Sequence, residues 1–202
     1  MCLKSCIAYT GPFSEYETCP YCQSPCYDPK KLASSNGQIK IAQQTFHTIP
    51  IGPQLQILRS HPEIAKQIRY HRERTNEILE TLRKGGGVIE DYDDVFHGAE
   101  YLKAVADGII SPNDICLLFS IDGTQLYTIK LSDCWIYIWI ILDLNPNLHY
   151  KKIHILPGGF IPGPNKPKNI DSFLFVGLHH LSAIQKKGLY CWRYPSLPSW
   201  FL

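Results

Sequence analysis

Cysteines are concentrated at the start of this chain of 202 residues. Five of the eight lie within the first 26 positions. Cys19 and Cys22 form a Cys-x2-Cys pair, the spacing at which two thiolates can bind one Zn²⁺ at about 2.3 Å. Cys2 and Cys6 supply a second pair, and Cys26 is an alternative to Cys2. We therefore predict a structural zinc ribbon at the N-terminus, with free thiols in a flexible terminus as the alternative reading.

The N-terminal thiols fit metal binding better than disulfides. Met1 to Lys4 leads into polar, aromatic and Gly-Pro sequence, whereas a secretory signal needs an apolar run of about 7–15 residues. The long apolar run Trp135–Leu142 is far shorter than the roughly 20 residues of a membrane span. We expect a soluble protein with no membrane partner, in a compartment that keeps cysteines reduced. The other cysteines lie in or beside apolar runs and are predicted to be packing residues: Cys116, Cys134 and Cys191.

The net charge of +2 is distributed unevenly along the chain. Residues 87–143 carry a net charge of −8, whereas residues 59–86 carry +3 and residues 144–202 carry +6. Carboxylates for a cation and basic side chains for phosphate are typical of a metal-dependent nucleic-acid enzyme. Ordinary variation in surface charge is the alternative. The candidate phosphate contacts are Arg69, Arg72, Lys166 and Lys168.

The spacing of apolar residues predicts helices and strands in the second half of the chain. Repeats of about 3.6 residues predict helices over 61–84, 99–107 and 169–187. Short, continuous apolar runs predict strands buried on both faces, over 115–121, 135–142 and 150–156. Pro157-Gly158-Gly159 is expected to close the third strand. The order strand, strand, strand, helix is half of an α/β domain.

Asp122 follows the first predicted strand and precedes Gly123. An Asp-Gly pair is first of all a turn signal. The functional alternative is a cation ligand, because a carboxylate on a buried strand can hold Mg²⁺. Two such ions stabilise the attacking and leaving oxygens in phosphodiester cleavage. One aspartate cannot assemble such a site, so further carboxylates would have to come from elsewhere in the fold.

Several longer motifs resemble one family. They are SIDGTQLY (120–127), SDCWIY (132–137), LPGGFIPGPNKPKNIDSFL (156–174) and GLHHL (177–181). YDDVFHG (92–98) and SCIAYTGPF (5–13), followed by the Cys-x2-Cys pair, belong to the same pattern. From about residue 1 to 190 the chain resembles the fungal branch of the CACTA (En/Spm-type) transposases, the Plavaka lineage. Residues 191–202 match nothing in that pattern.

The resemblance implies a fold and a domain organisation. Transposases of this kind are DDE-type enzymes with a ribonuclease-H-like core, in which the first catalytic aspartate lies on the first strand. The implied organisation is a zinc ribbon (1–28), a linker and helical region (29–110), the N-terminal half of a partial ribonuclease-H-like α/β domain (111–190) and an unrelated tail (191–202). Asp122 would take the first metal-binding role.

The resemblance also implies a function. The expected activity of the family is DNA binding with Mg²⁺-dependent cleavage and strand transfer at transposon terminal repeats, in the nucleus, by a monomer or an oligomer. The second aspartate and the glutamate of the family would follow later than Leu202, so we expect no catalysis from this chain alone. The alternative is a zinc-dependent DNA-binding or protein-interaction remnant without enzymatic activity.

Overall fold

The computed structural model describes residues 1–125, 133–163 and 165–191. The chain divides into two compact units. The first unit contains Met1–Gln54, Ser120–Ile138 and Pro157–Leu189. The second contains Leu55–Phe119 and Trp139–Leu156, together with the described residues after 189. Apart from Cys191, the predicted tail over 191–202 lies outside the described residues.

The described chain contains both helices and strands. The helices are α1 (Pro29–Ser34), α2 (Ile51–Ser60), α3 (Pro62–Gln67), α4 (Tyr70–Lys84), α5 (Ala99–Ala106), α6 (Pro146–His149) and α7 (Ile170–Lys187). The strands are β1 (His47–Thr48), β2 (Leu117–Gln125), β3 (Asp133–Ile141) and β4 (Ile155–Pro162). Within the described ranges, no helix combines the length and the apolar character needed to cross a bilayer.

The strands form one antiparallel sheet in the order β1-β4-β3-β2. In the pairing of β1 with β4, His47 lies opposite Phe160 and Thr48 opposite Gly159. The predicted order of three strands followed by a helix is present as β2, β3, β4 and α7. The mixed α/β class is therefore confirmed.

The first predicted strand was placed too early and its burial was misjudged. β2 continues through Asp122 and Gly123, which the sequence assigned to a turn after the strand. Its side chains alternate, with Leu117, Phe119 and Ile121 half-buried and their neighbours exposed. This alternation is typical of a strand with one solvent-facing side. β3 is closer to the prediction, because most of its described side chains are buried.

The third predicted strand, 150–156, also begins and ends later in the structure. Pro157-Gly158-Gly159 lies inside β4 and does not end it. Tyr137 of β3 explains the glycine at 159. A Cβ there would overlap the Tyr137 ring and lie 2.5 Å from the His47 carbonyl oxygen. Gly159, which the sequence predicted to help end the strand, is thus required because an aromatic ring lies close to the backbone at this position.

The predicted helix over 61–84 is two helices, α3 and α4. At the junction the Arg69 N–H bonds to the Lys66 carbonyl, a three-residue step in place of the four-residue step of an α-helix. Ile68 is buried at this turn. The apolar repeat continues across the interruption, so it could not signal the break. The predicted helices over 99–107 and 169–187 are confirmed as α5 and α7.

The predicted linker and helical region (29–110) begins with ordered elements, namely α1, β1 and α2. The first unit also has an apolar cluster of Met1, Ala8, Ile161 and Phe173, with Phe46, Trp135 and Ile170 against it. A hydrogen bond from the Ala8 N–H to the Ser172 hydroxyl ties the N-terminal segment to α7. The cysteine-rich segment is therefore packed onto the sheet and α7.

Candidate metal centres

The four cysteines predicted as zinc ligands converge on one point. The Sγ atoms of Cys2, Cys6, Cys19 and Cys22 all lie within 4.8 Å of one another, and those of Cys2 and Cys22 are 3.4 Å apart. Around a tetrahedral Zn²⁺ with Zn–S bonds of about 2.3 Å, sulfurs are about 3.8 Å apart. The donor set and its spacing are compatible with zinc. We call these four cysteines the thiolate site.

Two similar turns build the thiolate site. The Cys2 N–H donates to the Ile7 carbonyl, and the Cys19 N–H donates to the Ser24 carbonyl, both at 2.9 Å. In each turn the first cysteine of a pair therefore bonds to the residue five positions later. Each turn also holds one non-glycine residue at positive φ, Ser5 and Gln23. Local chain geometry thus presents each cysteine pair to a common centre.

The thiols of the site differ in acidity. Burial opposes ionisation of Cys22, but hydrogen bonds with the side chain and the backbone N–H of Ser24 outweigh it and lower its pKa to about 6. Burial raises the pKa of Cys6 to about 12, and hydrogen bonds with Cys22 and Cys2 add to this effect. Cys22 therefore ionises more readily than Cys6, and the thiolate is the form that binds a metal ion.

Cys26 lies outside the group of four. It is buried, at 5% exposure, and its N–H donates to the Glu17 carbonyl. Burial raises the pKa of its thiol. Of the two alternatives that the spacing left open, the structure selects Cys2 as the fourth member of the site.

The loop that carries Lys166 and Lys168 is fixed to the thiolate site. The N–H groups of Lys168 and Asn169 both donate to the Cys6 carbonyl, at 3.1 and 3.0 Å. Lys166 and Lys168 are exposed, on either side of the buried Pro167. The Lys168 ammonium lies 5.9 Å from the ring centroid of Tyr21, an exposed residue between Cys19 and Cys22.

A second contact joins the same loop to the first cysteine pair. The Asn165 side chain donates to the Lys4 carbonyl at 3.3 Å, and the Lys4 side chain is exposed. We call Lys4, Tyr21, Lys166 and Lys168 the knuckle face. Two of its members, Lys166 and Lys168, are among the predicted phosphate contacts.

The other two predicted phosphate contacts belong to the second unit. Arg69 precedes α4 and Arg72 lies in its first turn, and both are half-buried. Their neighbour Arg74 is paired with Glu77 at 3.0 Å and with Asp93 at 2.5 Å. The four predicted basic contacts therefore do not form a single group within one unit.

Asp122 lies on β2, the last strand in the order of the described sheet. Its side chain is exposed, and its Oδ1 accepts the N–H of Gly123 at 2.7 Å. Among the described residues it belongs to neither of the two groups of potential metal ligands. Mg²⁺ at this position gains no support from the described structure.

The second group of potential ligands was not predicted. His71 of α4, Cys116 before β2 and Asp143 after β3 lie within 4.8 Å of one another. His71 and Asp143 are each only 2% exposed, and His71 Nδ1 is 3.3 Å from Asp143 Oδ1. Burial raises the pKa of Cys116 to about 12, and the carboxylate of Asp143 adds to this effect. We call these three residues the His71 cluster.

Sequence reasoning missed this cluster for a clear reason. The sequence predicted Cys116 to be a packing residue and assigned no role to His71 or Asp143. The three residues are separated by 45 and 27 positions, so no local spacing connects them. A buried histidine and a buried aspartate in predicted apolar surroundings would have been the available signal.

Comparisons with protein-family models, with curated proteins and with solved structures gave no match. Function is therefore inferred from the geometry of the sites and from the sequence motifs.

Proposed function

We propose that this chain is a zinc-dependent, transposase-type DNA-binding protein, in which a zinc ion at the thiolate site holds the knuckle face against the DNA backbone. The observation that carries the proposal is the pair of hydrogen bonds from Lys168 and Asn169 to the Cys6 carbonyl. Through them, the loop with both lysines depends on the turn that presents a zinc ligand.

Electrostatics allow the knuckle face to bind phosphate. A zinc ion with four thiolates carries a net charge of about −2. Lys4, Lys166 and Lys168 together supply three positive charges beside it, so the summed charge of the zinc site and these lysines is positive. Lys166 also lies 5.4 Å from the ring centroid of Trp135. Lysines held over aromatic rings keep part of their side chain ordered while the ammonium remains available to an anion.

The order of elements supports a ribonuclease-H-like half-domain in the proposal. β2, β3 and β4 are neighbours in the antiparallel sheet, and α7 follows them in the chain. The order of three strands and a helix is the one that the family resemblance implies, and Asp122 on β2 is consistent with the position proposed for a first catalytic aspartate.

Mg²⁺-dependent cleavage is the less supported part of the proposal, because among the described residues Asp122 belongs to no group of three or more potential metal ligands. We therefore expect the chain to bind DNA without nicking it. Incubation of supercoiled DNA with the protein and Mg²⁺ or Mn²⁺ should leave it intact. Nicking that Asp122→Ala abolishes would contradict this expectation and would make the chain an active nuclease.

DNA binding is tested by fluorescence anisotropy on a labelled duplex at several salt concentrations. Each lost phosphate contact lowers the slope of log K against log salt by about 0.9. The double substitution of Lys166 and Lys168 by alanine should lower that slope by about 2 and weaken binding to all sequences alike. Removal of zinc with a chelator should weaken binding at least as much.

The matched control is the double substitution of Lys186 and Lys187 by alanine. Both are exposed and lie at the end of α7, in the same unit as the knuckle face. The control should keep the wild-type slope. If both double variants lower the slope equally, binding is a general effect of positive charge and the knuckle face is not the DNA site.

A further inference from the structure

We propose that the His71 cluster is a second metal site, which binds a divalent transition ion such as Zn²⁺ through His71 Nδ1, Asp143 and Cys116. Imidazole, carboxylate and thiolate are the three kinds of ligand that zinc takes in proteins. This site lies in the second unit, shares no residue with the thiolate site and does not depend on the proposed DNA-binding function.

The first argument is the environment of His71 Nδ1. The ring is buried, and Nδ1 has no hydrogen-bond partner, although Asp143 Oδ1 is 3.3 Å away. The angle at this contact does not suit an N–H···O bond. In a tetrahedral zinc site, nitrogen and oxygen ligands are about 3.3–3.4 Å apart. The separation is thus the one expected for two ligands that share an ion.

The second argument is a count of protons around the ring. His71 Nε2 lies 2.6 Å from the Tyr101 hydroxyl, and this hydroxyl lies 2.6 Å from Thr75 Oγ1. Thr75 Oγ1 in turn donates to the His71 carbonyl at 2.8 Å. The single proton of Thr75 is used in that bond, so Tyr101 donates to Thr75 and must accept from the Nε2–H of His71.

With its proton on Nε2, the ring can offer the lone pair of Nδ1 to a metal ion. Asp143 Oδ1, 3.3 Å from Nδ1, can bind the same ion. Metal-binding histidines are held in this way, with the other ring N–H donating to a neighbouring group. Tyr101 is therefore a positioning residue for the metal ligand.

The third argument is the way Asp143 is held. Its Oδ2 accepts the N–H of Cys116 at 2.7 Å, and this bond leaves Oδ1 directed to His71. The Cys116 thiol belongs to the same group, in which one ligand atom each from Cys116, His71 and Asp143 lie within 4.8 Å of one another. When the metal binds, the Cys116 thiol releases its proton to water, and the thiolate sulfur binds the ion.

The test is a metal count on the purified full chain, supported by Co²⁺ spectra. The wild-type protein should hold two equivalents of zinc. Cys116→Ala should lose one equivalent and keep the cobalt absorption of a tetrathiolate site, whereas Cys19→Ser should lose the tetrathiolate spectrum and keep the other ion. Cys134→Ala, a buried cysteine outside both groups, should keep both.

Tyr101→Phe separates metal binding from folding, because it keeps all three ligands and the aromatic ring. It should raise the Kd of the second ion by about 10–100-fold. A single equivalent of zinc in the wild-type protein, or an unchanged second equivalent in Cys116→Ala, would overturn the proposal. Either result would leave the contact of His71 with Asp143 as a structural pair without a metal ion. Rapid alkylation of Cys116 that depends on His71 would overturn it as well, because the thiol would then be a nucleophile.

Discussion

The thiolate site and the His71 cluster differ in how the chain assembles them. Cys2, Cys6, Cys19 and Cys22 come from two short turns, and each turn presents its pair through local hydrogen bonds. The members of the His71 cluster come from α4, from the segment before β2 and from the end of β3. The first site is therefore built by local geometry, and the second only by folding of the second unit.

This difference predicts different dependence on a metal. Small zinc modules obtain most of their folding free energy from the ion, because the turns around it bury little apolar surface. The His71 cluster instead sits among packed aromatic rings, with Phe96 and Tyr101 within 4.9 and 5.8 Å of the His71 ring centroid. We expect the second unit to stay folded when its metal is removed.

The largest expected effect is that of Cys19→Ser. Zinc binding supplies about 10 kcal/mol or more in small zinc modules. The variant should lose the thiolate-site metal, and the amide protons of Cys2 and Cys19 should exchange rapidly. Hydrogen exchange with mass spectrometry measures this, and amides of α4 should keep their protection. Cys26→Ser should retain zinc, and its loss there would show that Cys26 is a ligand.

Asp143→Asn should be the next most damaging change. It replaces the buried carboxylate that accepts the Cys116 N–H and faces His71 by a neutral amide, and a lost hydrogen bond to a charged group costs about 1.5–3 kcal/mol. Urea unfolding should show this loss, and exchange should increase in α4 but not at Cys2 or Cys19. Asp171→Asn, at an exposed carboxylate in the first turn of α7, should cost less than about 1 kcal/mol. Equal losses of stability in both variants would contradict the prediction that the buried contacts of Asp143 stabilise the protein more than an exposed carboxylate does.

Gly159→Ala probes the first unit without touching either set of ligands. The added methyl group would overlap the Tyr137 ring and crowd the His47 carbonyl, at a cost of about 1–3 kcal/mol. Thermal unfolding measures the loss, and the metal content should not change. Gly177→Ala brings its methyl group 3.1 Å from the Tyr137 hydroxyl and 3.6 Å from Thr48, without overlap of the ring, and should cost less than Gly159→Ala. A neutral Gly159→Ala would mean that β4 shifts easily against β3.

Thr75→Val should have the smallest effect. It removes one hydroxyl from the chain of hydrogen bonds behind His71 and should cost about 1 kcal/mol in urea unfolding. It should also weaken the second metal less than Tyr101→Phe does, because Tyr101 contacts the ring directly. The reverse order of metal affinities would show that Thr75, and not Tyr101, fixes the ring.

The sequence alone predicted features that depend on neighbouring residues. The cysteine pairs follow from their own spacing, and α5 and α7 follow from apolar repeats that end at glycine. The mixed α/β class follows from the succession of these patterns. In each case, the residues whose interactions determine the feature lie within a few positions of one another, so their spacing is visible in the sequence.

Only the tertiary structure decided the remaining features. It broke the helix over 61–84 at Arg69, placed Asp122 inside β2 and made Gly159 a contact point for Tyr137. It also brought His71, Cys116 and Asp143 together. These features depend on contacts between residues far apart in the chain, whose free energies come from burial and from close packing. A linear pattern of residues carries no record of such contacts.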